Sequence, residues 1–274
     1  MHDPAAIAAM GTVLGPDVLH RVQSLYGDEH VDRTPPVVAD AAYGDHPRQR
    51  LDVYAAPGAA SRPVLLWVHG GGFVRGEKSS DTHPYNAHVG RWAARAGLVG
   101  AVMNYRLVPD ARWPSGGDDV AAAVCWLIDN VAATGGDPAR IVVAGTSAGA
   151  VHIATALQRH ALPDAVRGVV LLSGLYGATL PEDRDVAYFG EANPLDPAAV
   201  AAAGVPLLLA CAEHDPGRFQ AETLALADAV RLAGGRLPRL TVVSGHNHFS
   251  LACHLGGSDM RLSAEILDFT EQLT

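Results

Sequence analysis

"IVVAGTSAGA", Ile141 to Ala150, is the stretch on which the reading of this chain turns. A β-branched run breaks off into small residues around Ser147, with Gly145 and Gly149 on either side of it. The apolar start fits a buried strand, and "AGAVHIATALQRHA", which follows, has helical spacing. G-x-S-x-G between a strand and a helix describes a sharp turn that lifts a serine oxygen above the end of a sheet. Such a turn crowds the backbone, and glycine at the flanking positions avoids the clash. A helix starting near Ala148 aims its first amides at the same spot. A tight strand–helix turn with an idle serine would fit the same ten residues, so the surroundings decide.

Outward from this turn, apolar runs alternate with amphipathic ones. "PVLLWVHG", "LVGAVMNYR", "VRGVVLLSGL", "VPLLLACAE" and "RLTVVSG" read as strands, and "RQRLDVYAA" as a half-exposed one. "SGGDDVAAAVCWLIDNVAATGG", "QAETLALADAVRLAGG" and "SDMRLSAEILDFTEQL" read as helices, the first with acids in its opening turn and glycines past its end. That alternation predicts an α/β fold with a mostly parallel central sheet flanked by helices. Residues 1–33 read as one or two short helices, "TPPVV" (Thr34 to Val38) then breaks the pattern, and segment 1–45 reads as a candidate cap. Residues 176–204 lack periodicity and read as a short excursion over the site, a small lid. No linker divides the chain, so 1–274 is expected to be a single domain.

The composition excludes several function classes. With 29 acids against 20 bases, a net charge of -9 and no basic block, nucleic acid is not the expected partner. The three cysteines, Cys125, Cys211 and Cys253, do not form a disulfide framework, and Cys125 and Cys211 are expected to be small buried hydrophobes. The first residues carry no basic leader, and no apolar run of membrane-spanning length occurs. A cytoplasmic protein that does not engage membranes is the expectation, with a homodimer among its expected assemblies.

The second chemical signal is "HGGGF", His69 to Phe73, directly after a buried strand. Successive glycines can expose backbone N–H groups to a small anion, as acyl transfer requires when a carbonyl oxygen gains charge. A serine also needs a base, and the base a carboxylate to hold its tautomer. On this architecture both should follow later strands, in the order Ser, Asp/Glu, His. "LLLACAEHDP" offers Glu213 and Asp215, with Asp196 a more distant alternative; "LTVVSGHNHFS" offers His246 and His248. Asp215 is preferred because it lies further past the strand, and His248 is preferred to His246. The cluster "HNHFSLACH", with Cys253 and His254, lacks the firm spacing of a zinc site, so no metal is expected. Phe73, Tyr188, Phe189 and Phe249 are candidate pocket residues, along with Tyr105 and Trp113, although each fits core packing equally well. Arg75 and Lys78 could meet an acidic substrate group or lie in solvent.

These segments resemble a known family. "VHGGGFVRGEKSS", "NYRLVPDARWPSGGDDV", "GGDPARIVVAGTSAGA", "PLLLACAEHDP" and "GHNHFS" occur in the order found in the hormone-sensitive-lipase-like carboxylesterases of the α/β-hydrolase fold, fold-3 group. The resemblance implies a nucleophile at Ser147, an acid at Asp215, a base at His248 and oxyanion amides at Gly71, Gly72 and Ala148. It implies hydrolysis of small to medium carboxylic esters through an acyl-enzyme, without metal or organic cofactor. Ala150 departs from the family, which often has glycine there, and the 176–204 excursion is short. The "HNHFS" ending is also similar to feruloyl-esterase and aryl-formamidase relatives. An amidase, formamidase or feruloyl/acetyl-type esterase on the same residues is therefore an alternative. A catalytically silent ligand-binding protein is the alternative from another class.

Overall fold

The computed structural model describes residues 3–273, with every side chain among them except that of Arg184. Its eight strands are β1 (Val38–Ala42), β2 (Arg50–Tyr54), β3 (Arg62–Val68), β4 (Val99–Met103), β5 (Gly136–Thr146), β6 (Val166–Leu172), β7 (Leu207–His214) and β8 (Arg239–Asn247). They form one sheet in the order β1-β2-β4-β3-β5-β6-β7-β8. Strands β1 and β2 pair antiparallel, as do β2 and β4; every pairing from β4 to β8 is parallel. The helices are α1 (Pro4–Met10), α2 (Pro16–Tyr26), α3 (Ala87–Arg95), α4 (Ser115–Asn130), α5 (Ala148–Arg159), α6 (Asp183–Phe189), α7 (Pro197–Ala202), α8 (Gly217–Gly234), α9 (Ser250–Cys253) and α10 (Arg261–Leu273). None of the described helices is long and apolar enough to cross a membrane.

The central strands carry unbroken apolar runs toward their carboxyl ends because both faces of the sheet are covered there. Successive side chains of a strand point to opposite faces. Val64, Leu66 and Val68 of β3 accordingly join one core with Val143, Val169, Leu209 and residues of α4, α5 and α8. Leu65 and Trp67 join a second core with Val142, Val170, Leu208, Trp92, Ile266 and Phe269. A third, smaller cluster seats α1 and α2, through Ile7, Met10, Val22 and Tyr26, on Tyr85 and Cys253.

Three local expectations are corrected. Strand β2 is not half-exposed: Leu51 to Tyr54 are all buried, because β2 lies between β1 and β4. The buried polar member, Asp52, accepts from Lys78 Nζ at 2.8 Å, so Lys78 is buried in an ion pair rather than standing in solvent. Cys125 is exposed rather than buried, while Cys211 is buried. Helix α4 buries Val120, Ala123, Val124 and Leu127, and position 125 lies off that stripe.

Residues 176–204 contain α6 and α7, of seven and six residues, too short to show a helical period. Helix α8 anchors them. The buried Glu222 carboxylate accepts from the N–H groups of Tyr176 at 2.7 Å, Ala178 at 3.0 Å and Thr179 at 2.9 Å. Arg218 adds ion pairs to Asp185 at 2.5 Å and Glu182 at 3.6 Å.

Candidate active site

In an open parallel sheet, side chains converge at the carboxyl ends of the strands. Strand β5 ends at Thr146, and Ser147 turns the chain into α5 with φ +54° and ψ −122°. That left-handed φ is unusual for a residue with a side chain, and strain of this kind clusters at functional sites. The turn holds because Ser147 N–H donates to Leu172 O at 2.8 Å, while its carbonyl accepts from Val151 N at 3.1 Å.

The flanking glycines are required by close approach. A Cβ on Gly149 would stand 2.1 Å from Val68 O and 2.6 Å from His69 O; one on Gly145 would stand 2.9 Å from Val68 O. In a helix, Gly→Ala normally gains about 1 kcal/mol. At Gly149 the sign is expected to reverse. Overpacking against backbone oxygens costs about 1–3 kcal/mol or more, so Gly149→Ala should lower the urea midpoint, as equilibrium unfolding would read.

Ser147 Oγ lies 2.9 Å from His248 Nε2, in the loop that follows β8. His248 Nδ1 lies 2.7 Å from Asp215 Oδ1, directly after β7. Asp215 and His248 are both buried, and the Phe219 ring lies 4.4 Å from the imidazole. The other carboxylate oxygen, Asp215 Oδ2, accepts from Ser173 Oγ at 2.5 Å and from Ala212 N–H at 2.6 Å. The residues that sequence reasoning weighed against these go elsewhere. Glu213 Oε2 accepts from Gly245 N–H at 2.7 Å, and Asp196 accepts from Ala198 N–H as the N-cap of α7. His246 bonds Ser250 Oγ at 3.0 Å and Asp259 Oδ2 at 3.2 Å.

Ser173 was missed. It follows β6 with φ +48° and is fully buried. The available signal was its position, one residue past a strand that ends on the same rim.

The glycine loop leaves β3 beside this line. Gly71 has φ +135° and Gly72 φ +60°, and a Cβ on Gly71 would meet Arg75 O at 1.9 Å. The loop thus folds back upon itself. Tyr105 braces it from behind: its hydroxyl donates to His69 O at 3.0 Å, and its ring stacks on that of His69 at 4.3 Å. Burial pushes the His69 imidazole down to about 4, so the brace is neutral at physiological pH. Ala148, as the first residue of α5, has an N–H with no partner inside its helix.

A cavity of about 780 Å³ opens over these groups, lined by Gly70, Gly71, Gly72, Ser147, Ala148 and His248. Its apolar walls include Phe73, Phe219, Phe249, Leu175 and Val151, with Leu14 and Leu19 from the N-terminal segment. Arg75 also reaches the wall. Tyr188 and Phe189, expected at the pocket, stand behind it. Tyr188 stacks on Phe73 at 4.2 Å and 4° and comes within 3.2 Å of His152 Nδ1; Phe189 packs edge-on to both rings. Tyr105 and Trp113 likewise lie off the lining. Chemically, this arrangement can draw a proton from a serine oxygen into an imidazole whose other nitrogen is held by a carboxylate.

Residues 65–250 match the model of a family described as the alpha/beta hydrolase fold. The chain is similar to the esterase LipC of Mycobacterium tuberculosis, 35% identical over 167 residues, 56% of this chain and 38% of that protein. It is similar to the carboxylesterase NlhH of the same organism, 45% identical over 87 residues, 32% of this chain and 26% of that one. The matched stretch thus spans well under half of the length of these curated relatives. Among solved structures, esterase B of Lactobacillus rhamnosis shares the fold with a TM-score of 0.70 at 20% identity, over 100% of this chain and 96% of that one.

Proposed function

The chain belongs to the alpha/beta hydrolase fold family, and on that premise we propose that it is a serine carboxylesterase acting on small to medium carboxylic esters. The observation that carries the reading is the bonded line from Ser147 Oγ through His248 to Asp215, set in the wall of a largely apolar cavity. In this reading His248 Nε2 takes the Ser147 proton as the oxygen attacks the ester carbonyl. The amides of Gly71, Gly72 and Ala148 stabilise the charge that develops on the carbonyl oxygen. Asp215 keeps the His248 Nδ1–H oriented and offsets the imidazolium charge. The alcohol leaves with the proton from His248, and a water activated by the same imidazole releases the acid.

A cavity of about 780 Å³ lies in the range of small-molecule sites, and its apolar walls suit acyl chains better than charged groups. Within this reading residues 1–45 act as a cap, with Leu14, Leu19 and Gln23 as one wall. Residues 176–204 form a short lid, touching the cavity at Asp185. Phe73 and Phe249 are the aromatic substrate contacts. The reading places the enzyme in the cytoplasm, in keeping with three unbridged cysteines, and includes a homodimer, which light scattering on purified protein checks.

A fluorophosphonate that modifies activated serines tests the central claim. It is expected to label Ser147 stoichiometrically and to stop the hydrolysis of a p-nitrophenyl ester series. A folded protein that neither labels nor turns over any ester of that series, nor of aryl and sugar ester panels, would overturn the reading.

A further inference from the structure

We propose that Arg48, in the turn before β2, is a positioning residue that sets the glycine-loop amides for the oxyanion; the proposal rests on the esterase reading above. Arg48 lies outside the cavity lining and holds the returning arm of the loop at two points and its Tyr105 brace at a third. Its Nη2 donates to Gly76 O at 2.7 Å, its Nη1 to Glu77 Oε1 at 2.7 Å, and its Nε to Tyr105 O at 2.8 Å.

Each contact leads to the loop by a short path. Gly76 packs directly on the loop's first residues: a Cβ there would stand 2.3 Å from His69 Nδ1 and 2.5 Å from Gly70 O. Gly71, one of the two loop donors, lies against the carbonyl oxygen of Arg75, the residue before Gly76. Glu77 is fixed a second time by Asn104 Nδ2 at 2.9 Å, and Asn104 Oδ1 accepts from Lys78 N–H at 2.5 Å. Tyr105, held through its carbonyl by Arg48, reaches His69 O and Gly70 O with its hydroxyl. One guanidinium therefore joins the returning arm of the loop, residues 76–77, to the aromatic brace of its outgoing arm. A planar fork with fixed donor directions does this; a lysine ammonium, a point charge on a flexible stem, does not reproduce the geometry.

A loop of small residues has little side-chain packing to fix its amides, and three glycines are costly to order. The Arg48 clamp supplies that order from outside the pocket. Losing it should therefore spoil the transition state more than substrate binding. A misplacement of about 1 Å at such a site costs roughly 100-fold in rate.

The test uses Arg48→Lys and Arg48→Ala in the full chain with p-nitrophenyl butyrate. The expected result is a roughly 10- to 100-fold fall in kcat with KM within about twofold. A trifluoromethyl ketone, which presents an oxyanion after serine addition, should lose affinity by the same factor. Millimolar guanidinium should restore part of the Arg48→Ala rate, since the Arg48 side chain is 22% exposed and its site open to solvent. Arg48→Lys, which keeps the charge and the stem, decides the matter should Arg48→Ala fail to fold. An unchanged kcat in a folded Arg48→Lys, or a loss confined to KM, overturns the proposal while the esterase reading stands. A wild-type protein inert toward esters and phosphonate overturns both.

Discussion

Ser147→Ala is expected to lower ester hydrolysis on the order of 10⁴- to 10⁶-fold while leaving the fold intact. The size follows from the arrangement. Without the Ser147 oxygen, His248 has no hydroxyl at 2.9 Å to activate, and only the loop amides and the cavity remain to favour hydrolysis by water. The fold should survive because the bonds that hold the elbow, Ser147 N–H to Leu172 O and Val151 N–H to Ser147 O, belong to the backbone. Alanine has the same Cβ at the same φ of +54°, so it adds no strain. Steady-state kinetics, phosphonate labelling and circular dichroism together check this outcome. Full turnover in a folded Ser147→Ala protein would end the esterase proposal.

Asp215→Asn is the second large effect, and its cause can be traced proton by proton. Oδ2 of Asp215 receives two donors, Ser173 O–H and Ala212 N–H. An asparagine must turn its carbonyl oxygen toward that pair, which leaves its NH2 facing His248 Nδ1. Nδ1 must then accept, and the imidazole proton moves to Nε2, opposite Ser147 Oγ. In that tautomer His248 cannot take the serine proton. A fall in kcat of about 10⁴-fold is expected, with little change in KM. Kinetics measure the fall, and nitrogen NMR of the imidazole reads the tautomer. A loss under tenfold, or a comparable collapse in Glu213→Gln, would show that the carboxylate is elsewhere.

The legible part of the chain was the part whose signal is local. β3 and β5 announce themselves because burial on both faces demands unbroken apolar runs, and the elbow because close approach demands glycine at 145 and 149. β1 escaped notice: it is a five-residue edge strand, mostly exposed, with no apolar alternation to mark it. α3 escaped as well, since it starts after Asn86 at φ +66° without a side-chain cap, and its buried face includes His88 and Gly90. The choice between Glu213 and Asp215 was legible only as a preference. It depends on where β7 stops: Glu213 is still in the strand, while Asp215 lies just past it and turns back to donate its N–H to Ala212 O at 3.2 Å. Ser173 carried only the faint signal of standing one residue past β6, and Arg48 carried none. Their importance lies wholly in which neighbours the fold brings to them, and neither sits in a pattern that any turn or helix requires.

The close packing of Gly149 beneath Val68 and His69 has a wider consequence. It seats the root of α5 on the root of the glycine loop, so Ser147 and the loop that follows β3 keep a fixed relation to each other. Leu14 and Leu19, which line the same cavity, belong to the N-terminal segment and share no backbone with either root. On the esterase proposal, re-cutting that N-terminal wall should change which ester is accepted while the packing at Gly149 stays as it is.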